Sequence, residues 1–167
     1  MMMERKLVDQ VVELDLPEVV VAKERLFRRL VKRRPWLKET PMPILVPSDF
    51  NDVSDVEQKL NAVLLKEGSS GEDDDAEEWH TIFVFEAVML YLNENVPSSL
   101  LHITSRILRE NNLKGSLCFA DQLENVPGGN FDKGAKKLKD SGWILKDWCP
   151  KPGYSTHMGC ASLSPAA

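Results

Sequence analysis

The sequence is poor in the residues that usually advertise chemistry. It has only three cysteines and three histidines in 167 residues. Cys118, Cys149 and Cys160 are odd in number and no two share a CxxC spacing, which argues against a disulfide framework or a zinc site. They read as reduced thiols of an intracellular protein. His80, His102 and His157 are scattered, and no Ser/His/Asp or Cys/His constellation suggests itself. Basic residues are not in excess: 21 Lys and Arg against 26 Asp and Glu leave a net charge of −5, the wrong sign for a general nucleic-acid binder. No apolar run is long enough to span a bilayer. Met1–Met3 and Glu4-Arg5-Lys6 are not followed by the apolar stretch of a signal peptide, and the repeated Met reads as a start within a longer reading frame. The expected setting is cytoplasmic, with no membrane and no nucleic-acid partner.

What is present is ordinary core-forming material, 43% hydrophobic and 28% charged, in a length that suits one domain or a large part of one. It is arranged as strand and helix in alternation. Leu7–Asp15 is valine-rich and ends on acids, as a buried strand does at a polar edge. Pro17 then opens a helix. Val19, Val20, Leu26, Phe27, Leu30 and Val31 recur on one face of it, and a basic cluster from Arg25 to Arg34 fills much of the rest. That cluster reads as a solvated face, with an anionic-surface contact as the sharper alternative. Met42–Val46 is a second strand leading to Ser48-Asp49. Ser54–Leu65 is a helix, with Ser54 as N-cap and Glu57 completing a capping box.

Gly68–Glu78 (GSSGEDDDAEE) is acidic and of low complexity, so residues 68–78 are expected to be a disordered surface loop. Thr81–Phe85 (TIFVF) is continuously apolar, as a central strand covered on both faces would be. Ser98–Glu110 is a helix, Ser116–Ala120 a strand, Val126–Asn130 a loop, and Asp132–Ser141 a short basic helix capped by Gly142. Trp143–Trp148 and Met158–Leu163 have no helix between them and form a closing hairpin. Strands separated by helices of these lengths predict a mostly parallel α/β sheet with a C-terminal antiparallel hairpin at one edge.

In open α/β sheets, ligands bind beyond the carboxyl ends of the strands. Glu13, Asp15, Asp49, Glu86 and Asp121 all fall at such ends. An acid there can accept hydrogen bonds from ribose hydroxyls or an adenine amino group, or pair with a methionine ammonium. Strand ends are also polar simply because they reach water. Glu86 fits that bland reading least well, because it sits directly between Thr81–Phe85 and Ala87-Val88-Met89-Leu90.

Four segments carry a resemblance. Val11–Val20 (VVELDLPEVV) with Lys23 resembles the ELDxPxVVxxK segment of the leucine carboxyl methyltransferase family. Val46–Asp52 (VPSDFND) is similar to its aspartate-leucine-x-aspartate stretch. Phe85–Leu92 (FEAVMLYL) resembles its EGVLMYL signature, with Ala87 in place of the usual Gly or Cys. Leu138–Leu163 resembles the C-terminal hairpin of its shorter members. The segments occur in family order and cover nearly the whole chain. The resemblance implies a single partial domain over 1–167 with an incomplete doubly wound, Rossmann-like methyltransferase sheet, and S-adenosyl-L-methionine as cofactor. Asp15 would then bind the ribose, Asp49 and Phe50 the adenine, and Glu86 the methionine part. Tyr91 would shape the acceptor pocket or, like most tyrosines at an apolar helix start, belong to the core. The family's glycine-rich loop and first strand should precede Leu7 and are not in this chain, which implies a form truncated at its N-terminus. That first strand occupies the middle of the family sheet, so the Leu7–Asp15 and Thr81–Phe85 strands would lose a neighbour and either pair with each other or leave the chain less stable. The implied reaction is methyl transfer to a carboxylate, which needs no catalytic base because it is already ionised at neutral pH. The short Asp121–Asp132 segment weighs against the longer members' protein C-terminus, leaving a small-molecule or protein carboxylate acceptor open. A remnant or regulatory module that no longer binds cofactor is the alternative.

Overall fold

The computed structural model describes residues 8, 10–39, 42–67, 80–123, 131–149 and 157–165. The acidic stretch 68–78 and the loop 126–130 lie outside them. The protein is mixed α/β, with strands in a two-stranded and a four-stranded sheet. The chain divides into two compact units, Met1–Lys59 and Leu60–Ala167.

In the first unit, β1 (Val12–Asp15) pairs in parallel with β2 (Ile44–Pro47), Val12 opposite Ile44 and Asp15 opposite Pro47. Between them runs α1 (Pro17–Arg33), opened by Pro17, with Glu18 in its first turn and Lys32 and Arg33 in its last. Those charges match the helix dipole. The chain leaves α1 just before Pro35, as the sequence leads one to expect. The apolar stripe of α1 is only partly covered, however. Val20 is buried, whereas Val21, Leu26 and Leu30 are exposed along with the whole basic cluster. α2 (Val53–Glu67), within which the boundary between the units falls, begins earlier than expected and is capped differently. The Asp55 backbone N–H donates to Asp52 Oδ1 at 3.1 Å, so Asp52 rather than Ser54 holds the helix start. A short carboxylate placed just before the first turn suits this role as well as a serine does.

In the second unit, β3 (His80–Glu86) pairs in parallel with β4 (Lys114–Asp121). β4 is antiparallel to β6 (His157–Leu163), which is antiparallel to β5 (Trp143–Cys149). The spatial order is β3-β4-β6-β5, so the expected hairpin does form one edge. α3 (Val96–Glu110) and α4 (Phe131–Asp140) supply one covering layer. Leu100, Leu101, Ile107, Leu108, Leu117, Leu123, Leu138 and Trp143 form the fully enclosed core. Trp143 Nε1 donates to the Leu101 carbonyl at 2.9 Å, and Ser105 Oγ to that of Ser141 at 2.6 Å, tying α3 to the start of the hairpin. Gly142 (φ +88°) makes that turn in a conformation a side chain would strain.

β3 departs from expectation. It is an edge strand among the described residues, not a central one. Phe83 and Phe85 turn toward the covered side, but Ile82 and Val84 are 58% and 67% exposed. A continuous apolar run carries no period-2 signal, so the sequence could not separate a strand covered twice from one covered once. Nor does β3 pair with β1: the two belong to different sheets.

Candidate functional site

The first unit gathers two of the expected site acids at one sheet edge. The Ser48 backbone N–H donates to the Asp15 carbonyl at 2.7 Å, so the chain leaves β2 beside the end of β1 and sets Asp49 there too. Asp15 Oδ2 accepts Lys23 Nζ at 2.8 Å, and Oδ1 accepts the Leu16 backbone N–H at 2.8 Å. Lys23 also pairs with Glu13, two residues along the same strand face. These bonds, to Asp15 first and to Glu13 second, raise the Lys23 pKa above its usual 10.5. The i+8 spacing from Asp15 to Lys23 brings the ammonium back over the strand end from which the helix sets out. Asp49 Oδ1 accepts the Asn51 backbone N–H at 2.9 Å, forming a tight local turn. Asp49 is exposed and Phe50 half-buried. Behind them, Ser48 Oγ donates to Asp55 at 2.8 Å and Lys59 Nζ approaches the same carboxylate at 2.5 Å. The Lys59 contact, then the serine, lowers the Asp55 pKa from 3.8.

A carboxylate oxygen offers two lone-pair positions, so each Asp15 oxygen keeps one for a further donor. The edge can therefore accept further hydroxyl or amino hydrogens, at Asp15 and at Asp49. Glu86 belongs to the second unit, exposed at the end of β3. Tyr91 is 78% exposed, so it is not a core residue. His102 is exposed on α3, and His80 is exposed beside Ser116 Oγ at 2.9 Å.

The carboxyl edge of β3 and β4 holds a second cluster that sequence reasoning did not single out. Asp121 is fully buried. Its Oδ2 accepts the backbone N–H groups of Val88 at 2.6 Å and Met89 at 2.7 Å, and its Oδ1 that of Gln122 at 2.7 Å. It thereby caps the short 3₁₀ turn Met89–Tyr91 that follows β3. The chain enters that turn through Ala87, which has φ +51° and whose N–H donates to the Ala120 carbonyl at 3.1 Å. A left-handed conformation here is one that glycine would adopt without steric cost. Opposite Asp121 in the β4–β6 ladder stands His157, 1% exposed and stacked on Trp148 at 5.0 Å between ring centroids. Neither ring nitrogen of His157 has a hydrogen-bond partner among the described residues. The sequence marked Asp121 only as a strand-end acid. Its burial depends on β6 folding back, a long-range pairing that no local pattern encodes.

Among the described residues no group of three or more His, Cys, Asp or Glu is placed to hold a metal ion. No helix among them is long and apolar enough to cross a membrane. No protein-family model, curated protein or solved structure matches the chain.

Proposed function

We propose that this chain is an S-adenosylmethionine-dependent methyltransferase unit of the leucine carboxyl methyltransferase type, transferring a methyl group to a carboxylate on a small molecule or a protein. It would act in the cytoplasm, without a nucleic-acid or membrane partner. Strand order carries the reading. Each described sheet keeps the neighbours a doubly wound methyltransferase sheet would have without its middle strand: β2 beside β1 in one, and β3-β4-β6-β5 in the other. The positions of Val11–Val20, at β1 and the start of α1, and of Phe85–Leu92, at the exit of β3, support the reading.

When bound, S-adenosylmethionine supplies an electrophilic sulfonium methyl; the protein contributes orientation and electrostatics. Asp15 would accept from the ribose hydroxyls, with Lys23 fixing the carboxylate. Asp49 would accept from the adenine amino group and Phe50 would pack beside the base. The resemblance assigns the methionine ammonium to Glu86. A carboxylate acceptor arrives ionised, so positioning alone serves the transfer.

A second reading is a non-catalytic module of the same fold. It is favoured by the partners Asp15 already has within the chain: the Leu16 N–H takes one acceptor position on Oδ1 and Lys23 one on Oδ2. Equilibrium titration of labelled S-adenosylmethionine into the purified chain separates the two. Submillimolar binding, weakened about tenfold by Asp15→Asn and by Asp49→Asn, is expected of the methyltransferase reading. No binding at millimolar cofactor overturns it and leaves the module.

A further inference from the structure

Cys118 and Cys160 stand directly opposite each other in the antiparallel β4–β6 ladder. We infer that they form a thiol–disulfide site, a cross-strand pair that a low-molecular-weight disulfide such as oxidised glutathione converts to an intramolecular disulfide. Direct antiparallel partners have Cα atoms about 4.5 or 5.5 Å apart, depending on the kind of pair, and both distances lie inside the range of about 4.4–6.8 Å that a disulfide spans. The side chains leave the sheet on the same face, because opposed residues in a ladder share it. Both cysteines are free and half-buried. Their face is the one opposite α3 and α4, where Ile82, Val84, Met158 and Ile144 are exposed among the described residues. A reagent therefore has access to the pair without unfolding of the α3 and α4 layer on the other side.

Cys149 supplies an internal contrast. It is exposed on the same face, but its ladder partner is Met158, and Cys160 faces Asp147 on that side. Exposure alone would make Cys149 the most reactive thiol; ladder geometry makes Cys118 and Cys160 the pair that closes.

The reaction balances by two exchanges. The thiolate of one cysteine attacks a sulfur of oxidised glutathione, forming a mixed disulfide and releasing one glutathione thiolate. The thiolate of its partner then attacks the protein sulfur of that mixed disulfide, releasing the second glutathione. Two protein thiols are oxidised, one low-molecular-weight disulfide is reduced to two thiols, and the protons end on the glutathione products. The new bond staples the two central strands of the sheet.

The test treats the purified, reduced full chain with oxidised glutathione, quenches with acid and an alkylating agent, and maps the peptides by mass spectrometry. The expected product has lost the mass of two hydrogens and carries a peptide joining residue 118 to residue 160. Cys149→Ser should give the same cross-link. Cys118→Ser and Cys160→Ser should each stop at a glutathione adduct on the remaining partner. The proposal is overturned if the unmutated chain accumulates only glutathione adducts, or if the bonds formed involve Cys149 within or between chains. The wild-type map decides the matter even if a serine variant folds poorly.

Discussion

The Asp121 carboxylate reaches back across the β3–β4 crossover to accept the Val88 backbone N–H at 2.6 Å. With Met89 and Gln122 it satisfies three backbone donors from a fully buried position. Hydrogen bonds to a charged acceptor contribute more than neutral ones, and a buried donor that loses its acceptor keeps its full desolvation cost. Asp121→Asn offers one acceptor oxygen where two are used and points an amide donor at a backbone donor. It should lower unfolding free energy by about 2–3 kcal/mol. Urea denaturation reads this as a lower midpoint at unchanged slope. A loss near zero would mean that the carboxylate is not the cap of the 88–91 turn.

Much of the architecture was legible because helices and strands announce themselves locally. Pro17, the helical spacing around Leu100–Leu108 and the polar exits of the strands located most elements, although the helix expected from Ser98 starts at Val96 and takes in Pro97; the hairpin followed from the lack of a helix-length segment between Trp148 and Met158. What was not legible depended on pairing. Whether Ile82 and Val84 face a helix or solvent is decided by elements far along the chain. So is the burial of Asp121 and His157, which requires β6 to insert between β4 and β5. The helix cap moved from Ser54 to Asp52 because both residue types cap well, and only backbone geometry chooses between them. Of the site acids, Asp15 and Asp49 share an edge through one parallel pairing, which the two separate strand exits did imply.

Ala87 pays a conformational penalty that the local sequence makes testable. A non-glycine residue at φ +51° crowds its Cβ against the backbone, at a cost of about 1–2 kcal/mol. Ala87→Gly removes that cost while adding chain entropy to the unfolded state, worth about 0.4–1 kcal/mol. The net expectation is a gain of about 0.5 kcal/mol, seen as a slightly higher thermal midpoint. Ala87→Val should lose stability, because a β-branched side chain tolerates this region worst. If valine were neutral, the left-handed turn would be absent in solution.

Lys23 and Asp55 set opposite pH limits on the first unit. The Lys23 pKa is raised by Asp15 and Glu13, so its contribution is complete below 10.5 and disappears as pH rises through the higher folded value. Asp55 has its pKa lowered by Lys59 and Ser48; its contribution is complete above 3.8 and disappears as pH falls through the folded value. Lys23→Met leaves Glu13 and Asp15 to repel each other and should cost about 1 kcal/mol or less, since the pair is partly solvated. The difference between wild type and variant should shrink as pH climbs beyond 10.5. Thermal melts from neutral to alkaline pH test this, and a difference that stays constant through that window would remove Lys23 from the network.

His157 gives the prediction with the least intuitive sign. Its ring is enclosed, stacked on Trp148 at an interplanar angle of 27°, and neither nitrogen is hydrogen-bonded among the described residues. Burying an unpaired polar group costs free energy that an apolar ring of similar shape does not incur. Stacking and volume are both retained by phenylalanine. His157→Phe should therefore stabilise the protein, by about 1 kcal/mol. His157→Ala should destabilise it by about 2–4 kcal/mol, because it opens a cavity beneath Trp148. The alternative is that the imidazole donates or accepts a hydrogen bond that matters at the β3–β4 edge. In that case phenylalanine would lose stability along with alanine, and the two variants, compared by urea denaturation, distinguish the cases by the sign of one number.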